Sequence, residues 1–305
     1  MMVVRRNGSA QHGGMTALLI ETSPPPLRAF RLTLREARPV VQVAYALRCL
    51  VGLRLAWSGR STVLHAAAVL VCWVAVCVAV YALNGVSDVD ADRRNHPSRP
   101  IARGDLSAGQ VRRAAGWLIA VGLAAAAVAG PALIPVFAAM LAVGVAYSFG
   151  PWPLKNTVPG LVFSGTALGA LSYLAGWLGG GGGAPTAEAV VCCGGLALWM
   201  GLAGTLTKDL ADVSGDRLTG RRTLPILVGE ERARRIAAAG AVAYAALFVA
   251  LAAWLAPGHL LTALAVMAGA LGVAGQCLAT PGQIGRNAYR TFMIAQYAGN
   301  ALMLE

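Results

Sequence analysis

Two short runs hold much of the chain's acidic chemistry. Asn84, Asp88 and Asp92 recur every fourth residue; Asp209, Asp212 and Asp216 follow at steps of three and four. Residues at such spacings share one helix face, so each run predicts a wall of oxygen donors, with Asp90 turned off the first. Like charges at this spacing repel, so losing one carboxylate should stabilise the ligand-free protein. Hard oxygen ligands suit Mg2+, which takes a few carboxylates, keeps waters and binds phosphate oxygens. Two facing walls would clamp a diphosphate through Mg2+. A solvated helix-ending loop would explain either run alone, but its recurrence argues against that reading.

Cations surround both runs. Arg93, Arg94, Arg99 and Arg103 follow the first; Arg217, Arg221 and Arg222 follow the second. The chain has only two lysines. Lys208 directly precedes Asp209. Lys155 stands alone in another polar connector, where a phosphate contact is expected rather than simple snorkelling. Arg48 lies mid-way through an apolar stretch, where a charge costs about 2.5–3.5 kcal/mol or more. It should face a cavity, an anionic partner or backbone carbonyls.

The elements that must position these groups are membrane helices. Of 305 residues, 57% are hydrophobic and 12% charged, against about 45–50% and 25% in soluble domains. Mean hydropathy is +0.63. Soluble and disordered classes are excluded. Apolar runs near 20 residues recur at about 39–58, 62–84, 109–129, 131–149, 158–179, 187–207, 233–255, 259–279 and 287–304. They do not alternate, so an all-α polytopic membrane protein with nine transmembrane helices is expected, not a barrel. Residues 1–37 lack a long apolar core and predict a flexible cytoplasmic N-terminal tail, not a cleaved signal. Residues 38–305 form a single domain. Apart from Arg48, Arg54 and Arg60, the Lys and Arg residues lie in or beside the tail and alternate connectors. That bias places the N-terminus and both acidic runs in the cytoplasm of a multi-pass cell-membrane protein. It also explains the net charge of +12 without nucleic acid. The six cysteines form no CxxC pair and read as small core residues.

Asn84-xxx-Asp88-xxx-Asp92, followed by Arg99-Pro100 and Gly104-Asp105-Leu106-Ser107, resembles the first signature of UbiA-type intramembrane prenyltransferases. Tyr147-Ser148 with Leu154-Lys155 resembles their middle connector. Lys208-Asp209-xx-Asp212-xx-Gly215-Asp216-Arg217, with Gly220-xx-Thr223-Leu224-Pro225, resembles the second signature. The Lys-Asp and Thr-Leu-Pro details look most like the homogentisate prenyltransferase and chlorophyll synthase branch. Gly85 departs from the Asp that many members carry after the Asn. The resemblance covers about residues 38–304. It implies nine helices around a central cavity, with both signatures at its cytoplasmic mouth. It implies Mg2+ held by Asn84, Asp88, Asp92, Asp209, Asp212 and Asp216, binding a prenyl diphosphate. Lys155 and Tyr147 carry over to the diphosphate end; Arg99, Arg103 and Lys208 lie in or beside the signatures as further substrate-binding candidates. Arg48 has no motif match and is a candidate on the cost of its burial alone. The implied activity is transfer of the isoprenyl group to an electron-rich, aromatic acceptor. A terpene cyclase on the same scaffold is the alternative, and a membrane transporter a more distant one. Tyr147, Phe163, Tyr173 and Trp199 are candidates to face the carbocation, with lipid-facing packing as the other reading.

Overall fold

Long apolar runs, with the prolines of α6 and α7 confined to the first helical turn, leave the backbone one way to satisfy itself in lipid, the α-helix. The structure, a computed structural model, describes residues 25–57, 62–279 and 286–305, and these are helical apart from connectors and one isolated bridge between Thr157 and Arg222. The helices are α1 (Pro26–Glu36), α2 (Pro39–Leu55), α3 (Val63–Ser87), α4 (Val89–Asn95), α5 (Ala108–Ala129), α6 (Leu133–Ser148), α7 (Val158–Gly179), α8 (Ala187–Trp199), α9 (Thr205–Leu218), α10 (Leu224–Val228), α11 (Glu230–Leu255), α12 (Leu260–Leu278) and α13 (Asn287–Leu302). Hydroxyl caps fix several starts. Thr62, Thr157 and Thr186 accept the backbone N–H three residues on, and Ser107 forms a full capping box with Gln110. Gly130, at φ 123°, ends α5 before Pro131, as that dipeptide predicts.

Helices stand at all nine expected places. Among the described residues, six are long and apolar enough to cross a membrane: Val63–Ser87, Ala108–Ala129, Val158–Gly179, Ala187–Leu218, Glu230–Leu255 and Pro257–Leu278. The helices α2, α6 and α13 are shorter, at 17, 16 and 16 residues. The sixth run does not stop near 207. A π-helical turn, Met200–Gly204, joins α8 to α9, and the helix continues through the second acidic run.

Of the segment expected as a flexible tail, residues 1–24 lie outside the described residues. From Pro26 it is helix α1, whose Thr33 and Glu36 are buried. An ion pair to Arg99, a backbone bond and the packing of Ala29 and Leu32 against a small apolar cluster hold it in place. Two apolar clusters make up most of the core. One centres on α8, α11, α12 and α13, the other on α2, α3, α6 and α7. A cavity lined by both lies between them. The described cysteines are free, and all except Cys193 are buried.

Candidate functional site

Asp88 marks the joint between α3 and α4. Its backbone N–H bonds Asn84 O at 3.0 Å, and its own carbonyl accepts from Asp92 at 2.7 Å, so the four-residue spacing survives the joint. Its carboxylate takes two buried cations. Lys155 Nζ donates to Oδ1 at 2.6 Å, and Arg221 pairs with the same oxygen. Asn84 Nδ2 donates to Oδ2 at 2.9 Å, and Ser148 Oγ orients Asn84 at 3.0 Å. Burial opposes the charge on Asp88, but Arg221 and Lys155 outweigh it and hold its pKa at about 2. Burial pulls the Lys155 pKa down, against the pull of Asp88. The loops carrying these cations are stitched together by Arg222 N–H donating to Asn156 O at 2.8 Å.

Asp92, one turn on, pairs with Arg99 and lies 3.7 Å from Arg38. On the facing helix α9, Asp212 meets Lys208 at 3.2 Å, Arg286 at 2.9 Å and His96 at 3.3 Å. Asp216 meets Arg221 at 3.1 Å. Asp209 is 1% exposed, and its Oδ2 and that of Asp216 have no hydrogen-bond partner. Asn95 ties the two walls together, donating to Asp212 O at 2.9 Å and accepting from Gly215 N–H at 2.9 Å. The two runs therefore face each other, as their spacing suggests, but neither is left with bare like-charge repulsion. Asp88, Asp92, Asp212 and Asp216 each pair directly with a cation.

The cavity opens from this charged end. Arg38, Asn84, Asp88, Tyr147 and Lys208 line one part, and Val41, Val80, Leu161, Leu168, Met200 and Met293 give it apolar walls. Arg48 also lines it, 2% exposed, its guanidinium 5.1 Å from the Tyr45 ring centroid and its Nε and Nη1 without acceptors. Such a cation–π contact offsets part of the burial cost.

Several sequence candidates sit elsewhere. Arg103 is half-exposed and pairs with Asp105 at 3.0 Å, because the chain turns away at Gly104. Asp90 is exposed and pairs with Arg93. Lys155 is not among the cavity-lining residues; Asp88 and Ser87 take its charge. Phe163 is 57% exposed. Tyr173 bonds Asn300 at 2.7 Å, and Trp199 stacks on Tyr244; neither lines the cavity. The rings that do so beside Tyr147 are Tyr81, Tyr289 and Phe292. Sequence reasoning missed Glu36, Arg38, Asn95, His96 and Arg286, which carry no local signature.

A profile of the UbiA prenyltransferase family matches residues 46–294. The digeranylgeranylglyceryl phosphate synthase of Methanopyrus kandleri is 34% identical over 220 residues, 71% of this chain and 77% of that enzyme. The synthase of the same name from Natronomonas pharaonis is 36% identical over 162 residues, so the chain spans about half of that relative, 54%. The structure of a UbiA homolog from Archaeoglobus fulgidus, described as bound to GPP and Mg2+, superposes with a TM-score of 0.67 at 20% identity, covering 89% of this chain and 99% of that one. These relatives do not single out the homogentisate prenyltransferase and chlorophyll synthase branch suggested by Lys208-Asp209 and Thr223-Leu224-Pro225. The likeness holds at the level of the whole family. With more than half of its length matched, this multi-pass membrane chain belongs to the UbiA prenyltransferase family.

Proposed function

We propose that the protein transfers an isoprenyl group from a prenyl diphosphate to an electron-rich acceptor and requires Mg2+. The observation that carries this reading is a cavity whose mouth holds Asn84, Asp88 and Lys208 and whose walls, Arg48 apart, are mostly apolar. That shape suits a ligand with an anionic head and a hydrocarbon chain. Solved UbiA homologs described as bound to GPP and Mg2+, and to DMAPP and Mg2+, support it. The acceptor need not be aromatic, since the relatives are named for a glyceryl phosphate product.

The donor chemistry fits a hard divalent ion. Among the described residues no group of three or more His, Cys, Asp or Glu forms a ready-made cage. Mg2+ would instead take one or two carboxylates and complete its shell with phosphate oxygens and water. Asn84, Asp88 and Asp92 on one wall, and Asp209, Asp212 and Asp216 on the other, would hold it. The unpartnered oxygens of Asp209 and Asp216 are buried acceptors that call for a donor or an ion. Bound there, Mg2+ would neutralise charge on the leaving group. The C1–O bond breaks and diphosphate leaves with the electron pair. The acceptor then bonds to C1 and gives up its proton. Lys208 and Arg38 at the mouth stabilise the departing charge. The apolar walls keep water from the carbocation, and Tyr81, Tyr147, Tyr289 and Phe292 offer ring faces to it. Membranes containing the protein, given labelled prenyl diphosphate and a panel of phenolic and glyceryl phosphate acceptors, should yield a joined product by mass. Exhaustive EDTA treatment should stop the reaction and Mg2+ restore it. Undiminished turnover after chelation would overturn the reading.

Lys155 and Arg221, held by Asp88, are the cations proposed to exchange onto the diphosphate. Lys155→Gln should lower efficiency by roughly 10- to 150-fold, the worth of one charge-assisted contact. The loss should appear with every prenyl donor. A defect confined to one acceptor would remove Lys155 from this role.

In the proposed membrane arrangement α2, α6 and α13 cross with the six longer spans, making nine, and residues 38–305 form a single domain. The distribution of Lys and Arg supports a site facing the cytoplasm. In a cysteine-free background, Asp90→Cys should react with an impermeant maleimide only in inverted vesicles. Reaction in right-side-out vesicles would reverse the orientation.

A further inference from the structure

Gly85 follows Asn84 in the first signature and brings no side chain to the wall. The space is not empty. A Cβ built on Gly85 would collide with the Glu36 carboxylate and lie 2.8 Å from Arg99 Nη2. Glu36 reaches this spot from α1. It is fully buried, its Oε1 is 2.5 Å from Arg99 Nη2, and its Oε2 accepts from Ile101 N–H at 3.0 Å. Arg99 Nη2 also donates to the Glu36 carbonyl at 2.7 Å, while its Nη1 pairs with Asp92. The joint between α1 and α2 is strained to suit: Arg38 adopts φ 58°, a conformation costly for a residue with a Cβ, and thereby comes to 3.7 Å from Asp92. One turn of chain thus brings Glu36 to Arg99 and Arg38 to Asp92.

We infer that Glu36 supplies from α1 the carboxylate for which Gly85 leaves room, and that it acts as a positioning residue for Asp92 through Arg99. Arg99 is shared between two acids. When Asp92 turns to a bound cation, Glu36 still neutralises Arg99, so the arginine does not compete for Asp92. Without Glu36, Arg99 would hold Asp92 as its sole anionic partner. The helix α1 is then part of the site and not an appendage to it.

The inference rests on the proposed Mg2+–diphosphate site for one readout and stands free of it for the other. In detergent, Glu36→Ala should lower the melting temperature, and the exchange Glu36→Ala/Gly85→Asp should recover most of that loss. Gly85→Asp alone should be worse than the exchange, because two carboxylates would then occupy one space. In the binding arm, the probe is a non-cleavable prenyl thiodiphosphate titrated with Mg2+. Glu36→Gln should raise the Mg2+ concentration needed for half-saturation by about tenfold or more, the effect of one charge-assisted contact. The exchange should bring it back toward wild type, which a purely structural contact would not do. If the wild type fails to bind the probe, the proposed function falls while the melting comparison still decides the pairing. Absence of recovery by the exchange, or an unchanged Mg2+ midpoint in Glu36→Gln beside a binding wild type, would overturn the inference.

Discussion

Asp88→Asn is expected to cut turnover by about a hundredfold or more and to destabilise the fold at the same time. Among the described residues, Asp88 is the one carboxylate that meets both Lys155 and Arg221. Neutralising it leaves buried Lys155 without its carboxylate and Arg221 with Asp216 alone, and removing one partner of a buried pair costs about 3–5 kcal/mol. Repulsion along the helix predicts the opposite, since losing one of two like charges should relieve strain. The structure reverses that sign because Asp88 and Asp92 each have cations of their own. The loss of rate comes from the removal of a carboxylate at the mouth of the cavity, where charge develops on the leaving group. Melting in detergent and initial rates on one preparation separate the two effects. Lys155→Gln should soften the stability loss of Asp88→Asn, because the residues share one interaction. A variant that keeps more than about a tenth of the wild-type rate, a deficit under about 1.4 kcal/mol, would contradict the role assigned to Asp88.

Gly176→Val is expected to prevent assembly of the cavity altogether. The helices α2 and α7 touch backbone to backbone. A Cβ at Gly176 would strike the Cys49 carbonyl and lie 2.7 Å from Leu53 N. At the reciprocal position, a Cβ on Gly52 would strike the Tyr173 carbonyl and lie 2.8 Å from Trp177 N. Small residues allow such close approach in membranes, where packing replaces the hydrophobic drive. No rotamer change relieves a clash with main chain, so the helices must part, at a cost above the roughly 1–3 kcal/mol of ordinary overpacking. The cavity loses its shape with them, because Val41 and Arg48 come from α2, and Leu161 and Leu168 from α7. Size-exclusion chromatography after detergent extraction should show aggregate in place of a single peak. Gly240→Ala is the control. Its Cβ would meet nothing within 4 Å, and in a helix interior the change should stabilise by about 0.5–1 kcal/mol. A well-folded Gly176→Val variant would contradict the close contact.

The parts legible in the sequence are those written locally. Apolar run length gave the helices, and the three- and four-residue spacing of acids gave two faces that meet in the structure. The pairs that balance those acids are written far apart. Asp88 and Arg221 are 133 residues distant, and Asp212 and Arg286 are 74. Nothing local to Arg221 or Arg286 says which acid it will meet. Glu36 escaped notice because α1 is short and rich in Arg, so it reads as solvated chain. The aromatic candidates failed for another reason. A membrane helix is apolar all round, so periodicity does not tell Phe163, turned outward, from Phe292, turned inward. The sixth span overran its expected end because polarity rises near Lys208 while the helix continues.

That continuation runs through the π-helical turn Met200–Gly204. Such a turn takes about one more residue than an α-helical turn. Each residue swings the downstream helix by about 100° around the axis while advancing it by only about 1.5 Å. The turn therefore works as a phase adjuster. Leu196 and Trp199 are buried in the core before the turn, and Asp209, Asp212 and Asp216 are buried at the acidic wall after it. Packing upstream and chemistry downstream need not share a face. A one-residue change in length here would leave the carboxylates at nearly the same height in the membrane but pointing about a quarter-turn away from Asp88.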